Sequence, residues 1–388
     1  MIRRHNIGFS SSDGVKDRTG SCVIFYDYAD KDTIRETVVI DGYTGVGAKK
    51  LKKRLKDRNI RSPWLYDTHA HGDHTDGLYD IIDDEWFTPK GFGCYDPESI
   101  KDGANQNKEI MQDYKSLKRI IARCKARGIP VTYLHSSDTK KHGDIKFKVY
   151  REQPRFKGNK EDPHGWEYMN DGSLIFWFYE LGTLVTGDGP AELGAFCQKR
   201  DIHAKDFQIS HHGNSCNGTE SRKMKALGAI YCWDDSYSDD RSFLQYGRYR
   251  CIEAGLKFYG IHGDINVVYF SKRAVIYKNG QIHRYACSYT GQATLRDANA
   301  DIVRKVMQGK YSTSDARTTK LLDENYNPNL VQKSVNKVIT LAADIWSGAR
   351  DYGKNEARIA KIDKELGKGY GQLVQDYINV LAGVRKSV

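Results

Sequence analysis

Residues 68–77 read Thr-His-Ala-His-Gly-Asp-His-Thr-Asp-Gly and come directly after the apolar stretch Pro63-Trp64-Leu65-Tyr66. Six positions of this run hold four side chains of metal-ligand type: His69, His71, Asp73 and His74. Imidazole and carboxylate together suit a borderline divalent ion, zinc first, with manganese or iron as alternatives. On an extended segment, side chains two apart point the same way, so the first three can converge while His74 turns to the other side. The spacing therefore predicts one loop that feeds two adjacent metal ions.

Apolar runs place strands just before the segments of interest. The first strand is predicted over 22–28, and later ones over 64–67, 183–186 and 207–210. Apolar residues at helical spacing predict helices that include 47–58 and 103–127. Loops that follow strands can present side chains from a rigid scaffold, which suits a metal site.

The pattern His-x-His-x-Asp-His after a buried strand resembles the signature of the metallo-β-lactamase-fold hydrolases. Leu184-Val185-Thr186-Gly187-Asp188-Gly189 resembles the strand-end Thr-Gly-Asp of the same family. Phe207-Gln208-Ile209-Ser210-His211-His212-Gly213-Asn214 resembles the His-His-Gly-Ser of the branch with the competence DNA-uptake proteins and the teichoic-acid phosphorylcholine esterases. Tyr259-Gly260-Ile261-His262-Gly263 falls where that branch carries Tyr-Gly-His-Pro, but it lacks the proline and contains an inserted isoleucine. The resemblance implies an α/β fold, the αββα sandwich of two mixed sheets with helices outside.

The resemblance also implies a ligand set for two divalent metal ions. His69 and His71 would bind the first ion. Asp73, His74 and His211 would bind the second, and Asp188 would bridge the two. The third ligand of the first ion stays open between His164, which lies where the family often supplies a histidine, and the segment Asn170–Ser173, which matches an Asn-x-x-Ser of some relatives.

Two adjacent metal ions would lower the pKa of a bridging water, so that a metal-bridging hydroxide could act as nucleophile at neutral pH. They would also neutralise charge that develops on the scissile group. His212 and His262 are candidates to protonate the leaving group, or else to orient a ligand carboxylate. With Asp73 and Asp188 they form the predicted catalytic set. By the resemblance, aspartate at the bridging position implies phosphoesters rather than β-lactams, so phosphodiester hydrolysis is the leading reaction.

An internal duplication occupies residues 300–388. Ala300-Asp301-Ile302 recurs as Ala343-Asp344-Ile345, and Leu330-Val331-Gln332 recurs as Leu373-Val374-Gln375. We predict two three-helix repeats, 299–340 and 341–388, after a metal-dependent hydrolase domain over 1–292, with a helix from Leu330 to Ile339 closing the first repeat.

The first copy of the duplication resembles the cell-wall-binding repeats of phage lysozymes, which bind muropeptide units of peptidoglycan. By that resemblance Arg317 and Arg358 contact the ligand. Alternatively, these arginines cap helices or pair with acids, and the helices serve dimerisation or nucleic-acid contact.

Composition sets the outer limits. The 388 residues carry a net charge of +11, and no apolar stretch has the length of a signal peptide or a membrane span. The eight cysteines show no paired spacing, which favours free thiols in a reducing cytoplasm. We therefore expect the protein to be synthesised in the cytoplasm without a signal peptide. If the repeats bind the cell wall, we also expect the protein to act there after phage lysis. The basic run 49–56 either forms a solvated face of a helix or attracts a polyanion.

Three hypotheses follow. The leading one is a dinuclear-metal phosphodiesterase that acts on an anionic phosphodiester and is held on bacterial peptidoglycan by its C-terminal repeats. The alternative is a phage or bacterial nuclease or cyclic-nucleotide phosphodiesterase, whose helical repeats serve assembly or contact with nucleic acid. The third is a non-catalytic wall-binding protein that keeps a metal site for stability.

Overall fold

The computed structural model describes residues 1–15, 19–29, 33–190, 192–213, 219–237, 245–260, 263–278, 281–291, 300–310, 328–347 and 352–383. Within them, two β-sheets form the larger part of the fold. The first sheet has the order β16-β15-β14-β1-β2-β3-β4-β5-β6. Its strands are β1 Ile2–Asn6, β2 Val23–Tyr28, β3 Ile34–Ile40, β4 Trp64–Tyr66, β5 Gly91–Cys94, β6 Val131–Tyr133, β14 Ile265–Phe270, β15 Arg273–Lys278 and β16 Gln281–Ala286.

The second sheet has the order β13-β12-β11-β10-β9-β8-β7. Its strands are β7 Thr139–His142, β8 Ile145–Tyr150, β9 Ile175–Phe178, β10 Thr183–Val185, β11 Asp206–Gln208, β12 Tyr231–Trp233 and β13 Lys257–Tyr259. The two sheets pack face to face through aromatic rings: Phe25 of β2 stacks on Phe178 of β9 at 4.0 Å between ring centroids. The two-sheet α/β architecture predicted from the sequence is confirmed.

Helices connect the strands of the two sheets. They are α1 Gly45–Asp57, α2 Gly72–Asp83, α3 Lys101–Ala104, α4 Lys108–Ala126, α5 Trp166–Asp171, α6 Leu193–Lys199, α7 Ser221–Ala226 and α8 Gln245–Glu253. The helix predicted over 103–127 is broken, because the Asn107 side chain accepts hydrogen bonds from the backbone N–H groups of Glu109 and Ile110 and so caps the start of α4.

The strand directions bring the predicted metal loops to one edge of the sandwich. β3 and β4 are parallel neighbours in the first sheet, and β10, β11 and β12 are parallel neighbours in the second. The carboxyl ends of parallel strands lie at the same edge, so the loops after these five strands can meet there. Asp41, His69–His74, Asp188, His211–His212 and Asp234–Asp235 follow those five ends.

The first strand is a departure from the sequence-based prediction, which placed no strand before residue 22. Its sequence Ile-Arg-Arg-His-Asn is polar, yet all five residues are buried. The Arg4 guanidinium donates to the Asp206 carboxylate at 2.6 Å and lies over the Trp233 ring. A partner 202 residues away therefore makes burial of this strand tolerable.

Beyond the sheets, four described helices pack around a core of their own: α9 Ala300–Met307, α10 Pro328–Ser347, α11 Tyr352–Leu366 and α12 Tyr370–Leu381. The predicted helix Leu330–Ile339 is longer than expected, because Thr340-Leu341-Ala342 contains no glycine or proline to end it. α10 therefore runs through the predicted boundary between the two repeats. The segment with Arg317 lies outside the described residues. No helix in the described part of the chain has both the length and the apolar content needed to cross a bilayer.

Candidate metal centre

Six buried or half-buried side chains converge in two groups at the shared edge of the sheets. Within each group, the candidate ligand atoms lie within 4.8 Å of one another. The first group is His69, His71 and Asp188, and the second is Asp73, His74 and His212. Such nitrogen and carboxylate oxygen donors fit divalent zinc, manganese or iron. The donor chemistry therefore fits the two metal ions expected from the sequence.

Asp188 lies between the two groups, with one carboxylate oxygen toward each. Its Oδ1 is 3.1 Å from His74 Nε2 and 3.4 Å from His212 Nε2. Its Oδ2 is 3.7 Å from His69 Nε2. This is the arrangement that a carboxylate shared by two ions requires, so the geometry is compatible with the bridging role that the resemblance implies, which stays a prediction.

The side chains of the consecutive residues His211 and His212 point toward different groups of metal-ligand residues. Both have left-handed backbone angles, with φ of 50° and 54°, a conformation that costs roughly 1 kcal/mol or more for a residue with a side chain. His212 Nε2 lies 3.3 Å from Asp73 Oδ2, in the second group. His211 Nε2 lies 3.7 Å from Asp188 Oδ2, the oxygen that also faces His69. The geometry thus favours His212 as the donor for the second ion, the place that the resemblance gave to His211, and it puts His211 on the side of the first.

The structure distinguishes between the two candidates for a further ligand of the first ion. His164 is 52% exposed, its Nδ1 is 2.9 Å from Glu109 Oε1, and its ring stacks on Trp166. It is in none of the groups found among the described residues. Asn170 is buried, and its Nδ2 lies 3.4 Å from the His211 ring nitrogens. The Asn-x-x-Ser segment, rather than His164, is the one that contacts the cluster.

A carboxylate that the sequence analysis did not single out orients His74. Asp41 follows β3, and its Oδ2 lies 2.8 Å from His74 Nδ1. The backbone N–H of Thr68 donates to Asp41 Oδ1 at 2.8 Å, which fixes the carboxylate. A proton held at Nδ1 leaves Nε2 as the lone-pair nitrogen, on the side of Asp188. The sequence signal was available, since Asp41 ends the apolar run Val38-Val39-Ile40 at a strand end.

We expect Asp41→Asn to lower affinity for the second metal ion by about 10–100-fold, because His74 loses the acceptor that sets its tautomer and ring orientation. Competition against a coloured chelator measures this affinity directly. Asp80→Asn, at an exposed site on α2, is the matched control and should bind metal as the wild type does. Unchanged affinity in Asp41→Asn would mean that His74 is held by packing alone.

Further contacts support the cluster from behind. His71 Nδ1 faces His69 Nε2 at 2.9 Å, and His71 Nε2 lies 3.6 Å from Asp113 Oδ2 on α4. Gln208 Oε1 accepts from the backbone N–H groups of Thr186 and Gly187 at 2.8 and 3.0 Å. β11 thereby positions the turn that presents Asp188. Behind His212, Asp234 and Asp235 form a third group with it.

The protonation of the cluster is set by competition between burial and charge. Burial would lower the pKa of His74, but the carboxylates of Asp188 and Asp41 outweigh it and raise that pKa well above its ordinary value. Burial would likewise lower the pKa of His212, but Asp188 and Asp73 raise it. For His71, burial prevails and lowers the pKa to about 4. Without metal, His74 therefore holds its proton at neutral pH, and the pKa of His212 is shifted in the same direction.

Metal uptake at pH 7 should consequently release at least about one proton per chain, from His74, and more if His212 is also protonated before it becomes a ligand. Because the pKa values of both histidines are raised, metal affinity should fall as the pH falls below them. Titration calorimetry in buffers of different ionisation enthalpy counts the released protons. Zinc binding without proton release at pH 7 would show that these two imidazoles are neutral in the free protein.

Of the other predicted site residues, His262 lies outside the described residues. Arg358 lies on α11, and its Nη2 is 3.4 Å from Asp344 Oδ2. The pairing of this arginine with an acid, which the sequence analysis gave as an alternative to ligand binding, is therefore present. Both side chains of the pair are about half exposed.

No family model matches the sequence, and no curated protein matches it either. Solved structures that resemble it include the B3 metallo-β-lactamase BLEG-1 (15% identity, 58% of this chain and 83% of that chain, TM-score 0.29). Another is the metallo-β-lactamase-fold protein YhfI from Bacillus subtilis (9% identity, 67% and 95% covered, TM-score 0.42). A third is CmlA, a diiron β-hydroxylase from Streptomyces venezuelae (11% identity, 66% and 54% covered, TM-score 0.38). These TM-scores and identities are too low to carry an activity, a metal or a substrate across to this chain.

Proposed function

We propose that this protein is a dinuclear-metal hydrolase that cleaves phosphodiesters. The observation that carries the proposal is Asp188, a buried carboxylate with one oxygen toward each of two donor groups. Two ions held side by side are suited to a phosphodiester, because they can stabilise both the entering and the leaving oxygen of the displacement. The sequence resemblance, with aspartate at the bridging position, points the same way.

The residues of the chain have separable tasks in this proposal. The ions, when bound, would supply a nucleophile at neutral pH and stabilise negative charge on the phosphoryl group. Asp41 keeps the proton of His74 on Nδ1, and Gln208 holds the turn before Asp188 in place. The first ion would be held by His69, His71, Asp188 and His211, and the second by Asp73, His74, Asp188 and His212.

The direct test is turnover by the chelator-treated full chain as zinc, manganese or iron is added back. We expect hydrolysis of bis(p-nitrophenyl) phosphate to appear with metal and to reach its maximum near two ions per chain. The corresponding monoester and a chromogenic β-lactam serve as comparison substrates. A chain that binds two ions and hydrolyses no phosphodiester would refute the proposal.

The resemblance to phage lysozyme repeats supports a second, separate proposal, that the C-terminal helices hold the enzyme on peptidoglycan. Arg358 is partly exposed, and the exposed Trp346 lies two residues after its partner Asp344. A charged, accessible hydrogen-bond donor suits a glycan with a peptide stem.

If Arg358 contacts the wall, Arg358→Ala should weaken co-sedimentation with Gram-positive sacculi by about tenfold, as expected for loss of a charge-assisted hydrogen bond. Arg304→Ala is the matched control, because Arg304 forms a similar surface pair with Asp301. Equal sedimentation of both variants and the wild type would leave Arg358 with a purely structural role.

A nucleic acid is the other polymer that the sequence suggested. Its support comes from a different part of the structure, the surface around the metal centre.

A further inference from the structure

Exposed aromatic side chains are concentrated on two helices next to the metal centre. In the part of the chain that the structure describes, six large hydrophobic side chains are exposed. Four of them lie on only two helices: Trp166 on α5, and Tyr246, Tyr249 and Ile252 on α8. Tyr249 and Trp166 are more than half exposed, at 56% and 54%. Rings of this size are usually covered in a folded protein, so their clustering suggests a binding surface.

Both helices contact the loop that carries His211 and His212. On α5, Asn170 lies one helical turn after Trp166 and is 3.4 Å from the His211 ring. On α8, Gly247 packs so closely that a Cβ there would lie 2.7 Å from the Cα of Gly213. The two helices that carry the exposed rings therefore lie next to the metal centre.

Positive charge is interleaved with the rings of α8. Arg248 and Arg250 are exposed and alternate with Tyr246 and Tyr249 along the helix. Among the described residues, neither arginine lies within ion-pairing distance of an acid; Arg250 instead lies over the Tyr246 ring at 4.2 Å. Arg250 also lines a cavity of about 560 Å³ between α7 and α8, together with Arg222, Lys223 and the acids Glu220 and Glu253. The exposed face of α8 therefore offers flat apolar rings beside two arginines that pair with no acid in the part of the chain that the structure describes.

We propose that the exposed face of α8 binds a single-stranded nucleic acid, with bases stacked on Tyr246 and Tyr249 and phosphates near Arg248 and Arg250. Stacking on exposed aromatic rings combined with a basic track is how proteins bind single strands without reading sequence. A polyol-phosphate polymer has the charge but no rings, and the arginines would repel a cationic choline group. The inference rests on the proposed phosphodiesterase function, because it names the polymer whose diester reaches the metal centre.

The test compares two fluorescently labelled 12-mers, oligothymidylate and a strand of the same length without bases. Their binding to the full chain is measured by fluorescence anisotropy, with EDTA present so that neither strand is cut. The paired substitutions Tyr246→Ala and Tyr249→Ala should weaken oligothymidylate binding by about tenfold or more, from the loss of one or two stacked bases. They should weaken binding of the abasic strand much less. Tyr249→Phe keeps a ring and should bind as the wild type does.

Two controls separate stacking from charge. Tyr133→Ala removes an exposed tyrosine on β6, away from these helices, and should change neither dissociation constant. Arg248→Gln with Arg250→Gln should weaken both strands alike and reduce the salt dependence of binding.

Equal binding of the two 12-mers by the wild type, or an equal loss for both in the tyrosine variant, would overturn the proposal. So would tighter binding of a poly(glycerol phosphate) than of oligothymidylate, which would favour a wall polymer. None of these results depends on turnover, whereas failure of the phosphodiesterase proposal shows as absent metal-dependent hydrolysis of bis(p-nitrophenyl) phosphate. The two failures are therefore distinguishable.

Discussion

Asp188→Asn should reduce turnover of a small phosphodiester by on the order of a thousandfold or more, and lower the bound metal from two ions per chain to one or fewer. The amide has nearly the volume of the carboxylate but carries no charge, so it can no longer neutralise two cations. In the metal-free protein, burial would raise the pKa of Asp188, but the imidazoles of His212, His74 and His211 outweigh it and hold that pKa well below its ordinary value. The residue is therefore ionised and ready to bind metal over the whole neutral range.

The measurements are kcat/KM with bis(p-nitrophenyl) phosphate and metal content after gel filtration. Asp80→Asn is again the control, because it makes the same chemical change on an exposed helix position. Retention of two ions and of activity in Asp188→Asn would eliminate the shared-carboxylate site, even if the fold is intact.

The second large effect distinguishes His211 from His212. We expect His212→Ala to remove the second ion and almost all activity, because His212 Nε2 lies 3.3–3.4 Å from both Asp73 and Asp188. His211→Ala should instead weaken the first ion, because its ring faces Asp188 Oδ2 beside His69. Loss of a neutral donor to a zinc-type ion costs more than loss of an outer partner, so a fall of more than 100-fold in affinity is expected at the affected ion.

Substitution with cobalt provides the measurement for this comparison, because the visible spectrum of bound Co²⁺ depends on the donor atoms around each ion. If His212→Ala keeps both ions and alters only the pH dependence of turnover, His212 is the proton donor that the sequence first suggested. If His211→Ala loses the second ion, the assignment by resemblance is right for that residue. The comparison therefore decides between the sequence-based and the geometric assignment.

The backbone limits how far these two histidines can be exchanged. Both occupy left-handed conformations between β11 and residue 213, where α8 packs against the backbone through Gly247. An alanine at either position keeps the Cβ and therefore the existing strain, so the substitutions report on the imidazole rather than on the turn.

Four of the predicted metal ligands are close together in the sequence, and they are also close together in the structure. His69, His71, Asp73 and His74 lie in one loop, so their spacing alone placed four donors near one another. Asp188 and His211 were assigned by the resemblance of the strand-end motifs Thr-Gly-Asp and His-His-Gly. The α/β class was likewise implied by that resemblance, and the apolar runs and helical periods placed its strands and helices.

What the sequence could not supply is the set of partners brought together by packing. Asp41 and Asp113 contact His74 and His71 from another strand end and from α4. Arg4 is buried against Asp206, so a polar segment forms a strand that periodicity does not predict. The division of His211 and His212 between the two groups depends on left-handed backbone angles, which sequence spacing does not reveal.

The sequence by itself therefore determined the fold class and the kinds of donor atom, because strands, helices and loop motifs are encoded within a few residues. Only the tertiary structure decided which oxygen or nitrogen faces which neighbour, and which helices with exposed rings lie next to the cluster. The physical reason is that these distances depend on how two sheets and α4, α5 and α8 pack together. Those contacts join residues that are far apart in the chain, so short-range sequence patterns do not predict them.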